Sequence, residues 1–311
     1  MRAAVLQELG VPRASEFREP EPGPGEELVE VRAAGLNPVD VALCAGTFYA
    51  GPPPIPSVAG REGVGTLSDG QRVYFDSPVP PWGSMAERTL IAAGSGYPLP
   101  EGVPDGLAVA LGIAGLAAWL SLTWRARLQA GEQVLVLGAS GIVGQVAVQA
   151  AKLLGASLVV AAARSQEGLE RARARGADAT VAIGRVDDLA AAMREAAGGQ
   201  IDVVVDPLFG EPFAAAVEAA SFGARLVTLG ASAGPQATLS SPAIRGKMLV
   251  IMGHTNFAAP PEVKREAYLR MVAAAARGEL EVDVEELSLE QVGDAWARLA
   301  ESSSKKIVLV P

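Results

Sequence analysis

The feature that most constrains this chain is a glycine string set between a continuous apolar run and an amphipathic helix pattern. VLVLG at 134–138 runs into Gly138, Ala139, Ser140, Gly141, Ile142, Val143 and Gly144. Ile142, Val143, Val146, Ala150, Leu153 and Leu154 then share one helical face, and Gly155 is placed to end the helix. A strand, a tight turn and a helix in that order bring a helix N-terminus to the carboxyl end of a strand. Gly141 has no side chain to keep a pyrophosphate from the backbone, and Gly144 lets the helix pack close to the strand. The free N–H groups and dipole of the helix start then attract the anion. Ala139 stands where the first glycine of G-x-G-x-x-G falls. The whole of 138–144 is therefore predicted to contact a dinucleotide.

The runs that follow say what kind of sheet carries this loop. LVVAAA at 158–163, ATVAI at 179–183, IDVVVD at 201–206, ARLVTLG at 224–230 and MLVIMG at 248–253 are apolar without alternation, and helical patterns lie between them. Such strands are buried on both faces, which predicts a parallel sheet with crossover helices, hence a doubly wound α/β domain of Rossmann type. The second strand ends in Ala163, Arg164 and Ser165, with Arg164 twenty residues after Gly144. A carboxylate there would hold the ribose hydroxyls of NAD, and none is present. Arg164 can instead pair with a 2′-phosphate and Ser165 can donate to it, so NADPH is the expected cofactor. Gly230 and Ala231 after the fifth run, and Gly253, His254 and Asn256 after the sixth, are counted with its contacts.

The first hundred residues have a different texture. ELVEVR at 27–32 alternates like a half-buried strand, and short β-like pieces follow at 63–67, 72–75 and 87–91, with the stiff loop GPPPIP at 51–56. This is a small, mostly β domain. The tail from about Glu281 reads as strand, amphipathic helix and strand, too small to fold alone, and is expected to return to the first domain. Residues 106–124 carry no charge and approach membrane-spanning length, but Gly106, Gly112 and Gly115 interrupt them, so a buried helix at a domain junction is predicted. Lys and Arg number 26 against 35 Asp and Glu, a net charge of −9 with no basic stretch, which argues against nucleic acid. One cysteine, Cys44, excludes an internal disulfide and a multi-cysteine zinc cage. With no secretory h-region and no membrane partner expected, a cytoplasmic protein is the default reading.

Taken with the glycine loop, AAGLNPVDVALCAGTFY at 33–49, PSVAGREGVG at 56–65, GIAGLAAW at 112–119, DVVVDPLFG at 202–210, MGHTNF at 252–257 and the terminal KKIVLVP resemble the quinone oxidoreductase (zeta-crystallin-like) branch of the medium-chain dehydrogenase/reductase family. The resemblance implies a GroES-like catalytic domain at 1–112 and 281–311, a dinucleotide-binding domain at 113–280, and an active site in the cleft between them. It also implies a homodimer joined near residues 247–252. Zinc-dependent relatives place a cysteine where this chain has Asn37, a histidine where it has Arg61, and a third ligand near 110–114, where no cysteine stands. Asp40 and Glu62 remain, but carboxylates without Cys or His make a poor zinc site. A zinc-free enzyme that reduces a quinone or an α,β-unsaturated carbonyl with NADPH is implied. An NADPH-binding sensor with little turnover is the reading from another class.

The candidate site residues follow from the same comparison. Asn37 and Tyr49 are expected to hydrogen-bond the acceptor oxygen, with Phe48, Trp82 and Arg61 on the substrate side. Each has a plainer role open to it: turn residue, core aromatic, loop anchor or ion pair. His254, the one histidine, is assigned to a cofactor loop rather than to acid catalysis. Lys305 and Lys306 match a terminal position near the cofactor phosphates. A lysine often found in relatives after the second strand is Gly168 here, leaving Arg164 and Arg171 for the 2′-phosphate.

Overall fold

A computed structural model describes residues 1–301 and 304–311. The chain divides into two compact units, Ala114–Ala267 and the pair of segments Met1–Ile113 and Tyr268–Pro311.

The continuous unit is built on six parallel strands. Their order across the sheet is Ala179–Ala182, Leu158–Ala163, Gln133–Leu137, Val203–Asp206, Arg225–Thr228 and Val250–Gly253. The six apolar runs of the sequence thus become the six strands. Val134 to Leu137 and Val203 to Val205 are at most 1% exposed, as strands covered on both faces must be. Chain order reverses between Gln133–Leu137 and Val203–Asp206, and ligands of such sheets bind outside the carboxyl ends at that reversal. The uncharged run enters this unit as the helix Ile113–Leu120, which widens into a π-helical turn at Ser121–Arg125. Among the described residues no helix is long and apolar enough to cross a membrane.

The two-segment unit is mostly antiparallel. A three-stranded sheet joins Arg13–Glu16, Arg2–Leu6 and Ser57–Val58. A larger one runs Val284–Ser288, Lys306–Val310, Glu26–Gly35, Glu62–Leu67, Arg72–Phe75 and Tyr97–Pro98, and Arg88–Ala92 also pairs with Glu26–Gly35. The tail makes the expected strand, helix (Val292–Ala300) and strand, and Trp296, Ile307 and Leu309 join Leu6, Val29, Phe75 and Ile91 in one core. The second segment begins at Tyr268, thirteen residues before Glu281, within the helix Pro261–Ala276. Tyr268 accounts for this shift: its ring stacks on Tyr74 at 4.2 Å and its hydroxyl donates to the Ala108 carbonyl at 2.8 Å.

Candidate active site

In the continuous unit the glycine loop joins the strand Gln133–Leu137 to the helix Ile142–Leu153, with Gly141 as the residue before the first helical turn. A Cβ on Gly144 would lie 2.3 Å from the Gly138 carbonyl oxygen and 2.5 Å from the Ala139 Cα, so only glycine allows this approach of helix to strand. A Cβ on Gly141 would meet nothing nearer than 3.6 Å, which leaves that side of the loop open. Ala139 is buried, whereas Ser140, Ile142 and Val143 are half-buried around the helix start.

Arg164 and Ser165 are exposed just after the second strand. The Ser165 hydroxyl oxygen accepts from the Gly168 N–H at 3.1 Å, which starts the helix Gln166–Ala174 and leaves the hydroxyl proton free to donate. A Cβ on Gly168 would lie 2.3 Å from the Ser140 Cβ. That contact explains the missing lysine: this helix packs too close to the glycine loop to carry a side chain there. Arg171 ion-pairs with Glu167 at 2.5 Å, whereas Arg164 makes no ion pair among the described residues.

Gly230 and Ala231 follow the fifth strand, Gly253 ends the sixth, and His254 and Asn256 follow it, at the same carboxyl edge of the sheet. The His254 N–H donates to the Thr228 carbonyl at 2.9 Å, and its Nε2 lies 2.9 Å from Asn256 Oδ1. Burial lowers the His254 pKa, which favours the uncharged ring. Asp206, not anticipated from sequence, is fully buried at the end of the fourth strand, where one carboxylate oxygen accepts from Leu208 N and Phe209 N, both at 2.9 Å. Burial raises its pKa. The structure thus collects the predicted cofactor residues, apart from Lys305, along one sheet edge.

In the other unit, Asn37 precedes the short helix Pro38–Cys44 and is 4% exposed. Its Oδ1 accepts from Lys306 Nζ at 2.6 Å, and its Nδ2 lies 2.8 Å from Glu62 Oε1 and 3.4 Å from Asp40 Oδ2. The amide assigned from sequence to an acceptor carbonyl is therefore engaged with three side chains. Glu62 is fully buried; its Oε2 accepts from Tyr74 at 2.8 Å and from the Ile113 N–H at 2.5 Å. Burial, with Glu62 beside it, holds the Tyr74 hydroxyl well above its usual range, so it remains a donor. Asp40 is pushed up to about 7, first by burial and then by Glu62, against hydrogen bonds from Asn37 and the charge of Lys306.

The rings of Phe48 and Tyr49 lie tilted against each other, centroids 4.1 Å apart, in the loop after this helix, with Tyr49 74% exposed. Trp82 packs on a small cluster with Met1, Val5 and Val58, and the Arg18 guanidinium lies 5.0 Å over its ring. Arg61 is half-buried and Lys305 exposed. Lys306, paired with Lys305 in the sequence reading, instead points into the interior. Cys44 is buried, which pushes its thiol up to about 12 and leaves it unreactive. Among the described residues no group of three or more His, Cys, Asp or Glu is arranged to hold a metal.

A family model described as zinc-binding dehydrogenase matches residues 143–274, within which neither Asn37 nor Arg61 falls. The rat quinone oxidoreductase-like protein 2 is 31% identical over 264 residues, spanning 81% of this chain and 74% of that protein. This chain belongs to the quinone oxidoreductase branch of the medium-chain dehydrogenase/reductase family. Among solved members of that fold, the quinone oxidoreductase of Thermus thermophilus, determined also as its complex with NADPH, superimposes with a TM-score of 0.86. It is 29% identical, and all of both chains is covered. An NAD-dependent alcohol dehydrogenase superimposes with a TM-score of 0.89 at 27% identity, again over all of both chains. Solved structures of this fold thus include one determined with NADPH and one described as NAD-dependent.

Proposed function

We propose that the protein is an NADPH-dependent, zinc-free oxidoreductase acting on a quinone or an α,β-unsaturated carbonyl. The observation that carries this reading is Arg164, exposed and without an ion pair among the described residues, at the position where a carboxylate would select NAD. The glycine loop fits a dinucleotide: its close-packed helix presents free N–H groups, and Gly141 leaves the loop open to a pyrophosphate. NADPH, when bound there, supplies a hydride to an acceptor that is already electron-poor, so no Lewis acid is needed. The chain's own contribution is placement. Residues 138–144 hold the pyrophosphate, Arg164 and Ser165 the 2′-phosphate, and the loop with Phe48 and Tyr49 offers an apolar wall and a hydroxyl to the acceptor. The test is steady-state NADPH oxidation by protein freed of metal, with a panel of quinones and enones. Acceptor-dependent turnover supports the reading; tight NADPH binding without turnover would make the protein a sensor.

The active form is proposed to be a homodimer. Val250–Gly253 is the outermost strand of its sheet, and Val250 and Ile251 are 46% and 36% exposed; Met248 at 65% and Phe222 at 71% flank the point just before the strand where Gly223 N donates to the Lys247 carbonyl. An open, apolar edge of this kind is a template for pairing with a second copy. Ile251→Lys is expected to give a folded monomer, seen as a halved mass in light scattering with an unchanged circular dichroism spectrum. A variant that stays dimeric would place the interface elsewhere.

A further inference from the structure

Lys306 is the first residue of the final strand and its side chain is 2% exposed. An ammonium has three N–H donors. Three oxygens meet them: the Leu36 carbonyl at 3.2 Å, Asn37 Oδ1 at 2.6 Å and Glu62 Oε1 at 2.7 Å. The cage is closed on its far side as well, since Glu62 also receives Asn37, Tyr74 and Ile113, and Asn37 N donates to Asp40 Oδ2 at 2.8 Å. Both side chains around the cation are thus tied to at least one other group. Asp40, whose second carboxylate oxygen has no partner among the described residues, is protonated below about pH 7, which leaves one ammonium facing one carboxylate.

We propose that Lys306 is a positioning residue whose ammonium serves as the resident cation of this site, filling an oxygen cage and fixing the turn at Asn37 on which the acceptor side is built. This rests on the placement of the acceptor beside Phe48 and Tyr49 given above. The mechanical path is short. Lys306 holds Asn37, Asn37 starts the helix Pro38–Cys44, and the Ala42 carbonyl of that helix accepts from Thr47 N at 2.9 Å and Phe48 N at 3.2 Å. The loop bearing Phe48 and Tyr49 is therefore anchored, through one helix, to a buried ammonium. A covalently attached cation cannot be chelated or exchanged, so the cage keeps its shape whatever the metal supply.

The experiment removes the ammonium and offers a free one. Lys306→Ala is expected to lower kcat/KM for the acceptor by roughly tenfold or more while the NADPH Kd stays within about threefold. Ammonium chloride should restore both the melting midpoint and acceptor kcat/KM of this variant saturably, whereas tetramethylammonium chloride at equal ionic strength should not, and wild type should respond to neither. Lys306→Arg, which keeps the charge but brings a planar head to a cage made for a compact one, should fold and show the same split between acceptor kinetics and cofactor affinity, in weaker form. If Lys306→Ala does not fold, Lys306→Arg carries the test. Wild-type acceptor kinetics in Lys306→Ala or, where that variant does not fold, in Lys306→Arg would overturn the proposal. So would equal losses in acceptor kinetics and NADPH affinity, or no ammonium-specific gain in melting midpoint. Because the melting arm needs no turnover, a protein that reduces no quinone or enone would refute the assigned reaction and leave the cage still testable.

Discussion

Glu62→Ala is expected to destabilise the two-segment unit by about 3–5 kcal/mol, the usual cost of stripping a buried ion of its partner. Glu62 is fully buried and receives Lys306, Asn37, Tyr74 and the Ile113 N–H. Its loss strips an ammonium, a phenol and an amide in the interior, and a half-buried backbone N–H, of their shared acceptor, while the ammonium and the amide keep other partners. For a unit of this size each kcal/mol moves the melting midpoint by about 2–4 °C, so a fall of roughly 6–20 °C should follow. Glu62→Gln should fall between wild type and alanine, because its amide keeps the volume and one acceptor but turns N–H groups toward Tyr74 and Ile113, both donors. Differential scanning calorimetry checks this. Alanine melting within about 2 °C of wild type, on the order of the effect of an exposed pair, would show that the network contributes little.

Arg164→Ala is expected to raise the NADPH Kd by roughly tenfold or more and to leave the NADH Kd nearly unchanged. One charge-assisted hydrogen bond contributes about 1.5–3 kcal/mol, and NADH has no 2′-phosphate to receive it. The side chain is exposed at the end of the second strand, and Arg171, the next candidate, is already paired with Glu167. The close contact between Gly168 and Ser140 leaves no room for a substitute lysine. Titration of both cofactors by quenching of protein fluorescence measures the two constants. Equal values in the unmutated protein would remove Arg164 from cofactor choice.

What the sequence revealed and what it hid have physical causes. The loop at 138–144 was legible because its flanks differ in period: a strand covered on both faces does not alternate, and a helix with one buried side repeats every 3.6 residues. The other central strands were visible for the same reason, the edge strands Ala179–Ala182 and Val250–Gly253 as short apolar runs although they are more exposed, and the tail because KKIVLVP and the pattern before it are too short to bury a core alone. The Lys306 cluster was not visible, since its partners lie 269 and 244 residues away in the chain. A weak signal did exist. Within the last strand Lys306 alternates onto the same face as Val308, which is fully buried, while Lys305 precedes the strand and is exposed. Glu62 likewise shares a face with the buried Val64. Charged residues in register with buried valines are the pattern that would have pointed to an internal ion pair. The start of the second segment at Tyr268 was hidden similarly, because nothing near Tyr268 in sequence announces a stack on Tyr74.

The proposed reaction is hydride transfer from NADPH to an electron-poor acceptor without a metal ion. Its most direct test uses metal-stripped protein, NADPH deuterated at nicotinamide C4 and an α,β-unsaturated ketone, with the product analysed by mass spectrometry and NMR. One deuterium per product molecule is expected, on the carbon β to the carbonyl, at a rate unaffected by chelators. Stoichiometric NADPH binding with no labelled product from any enone, and no acceptor-dependent oxidation by any quinone, would contradict it.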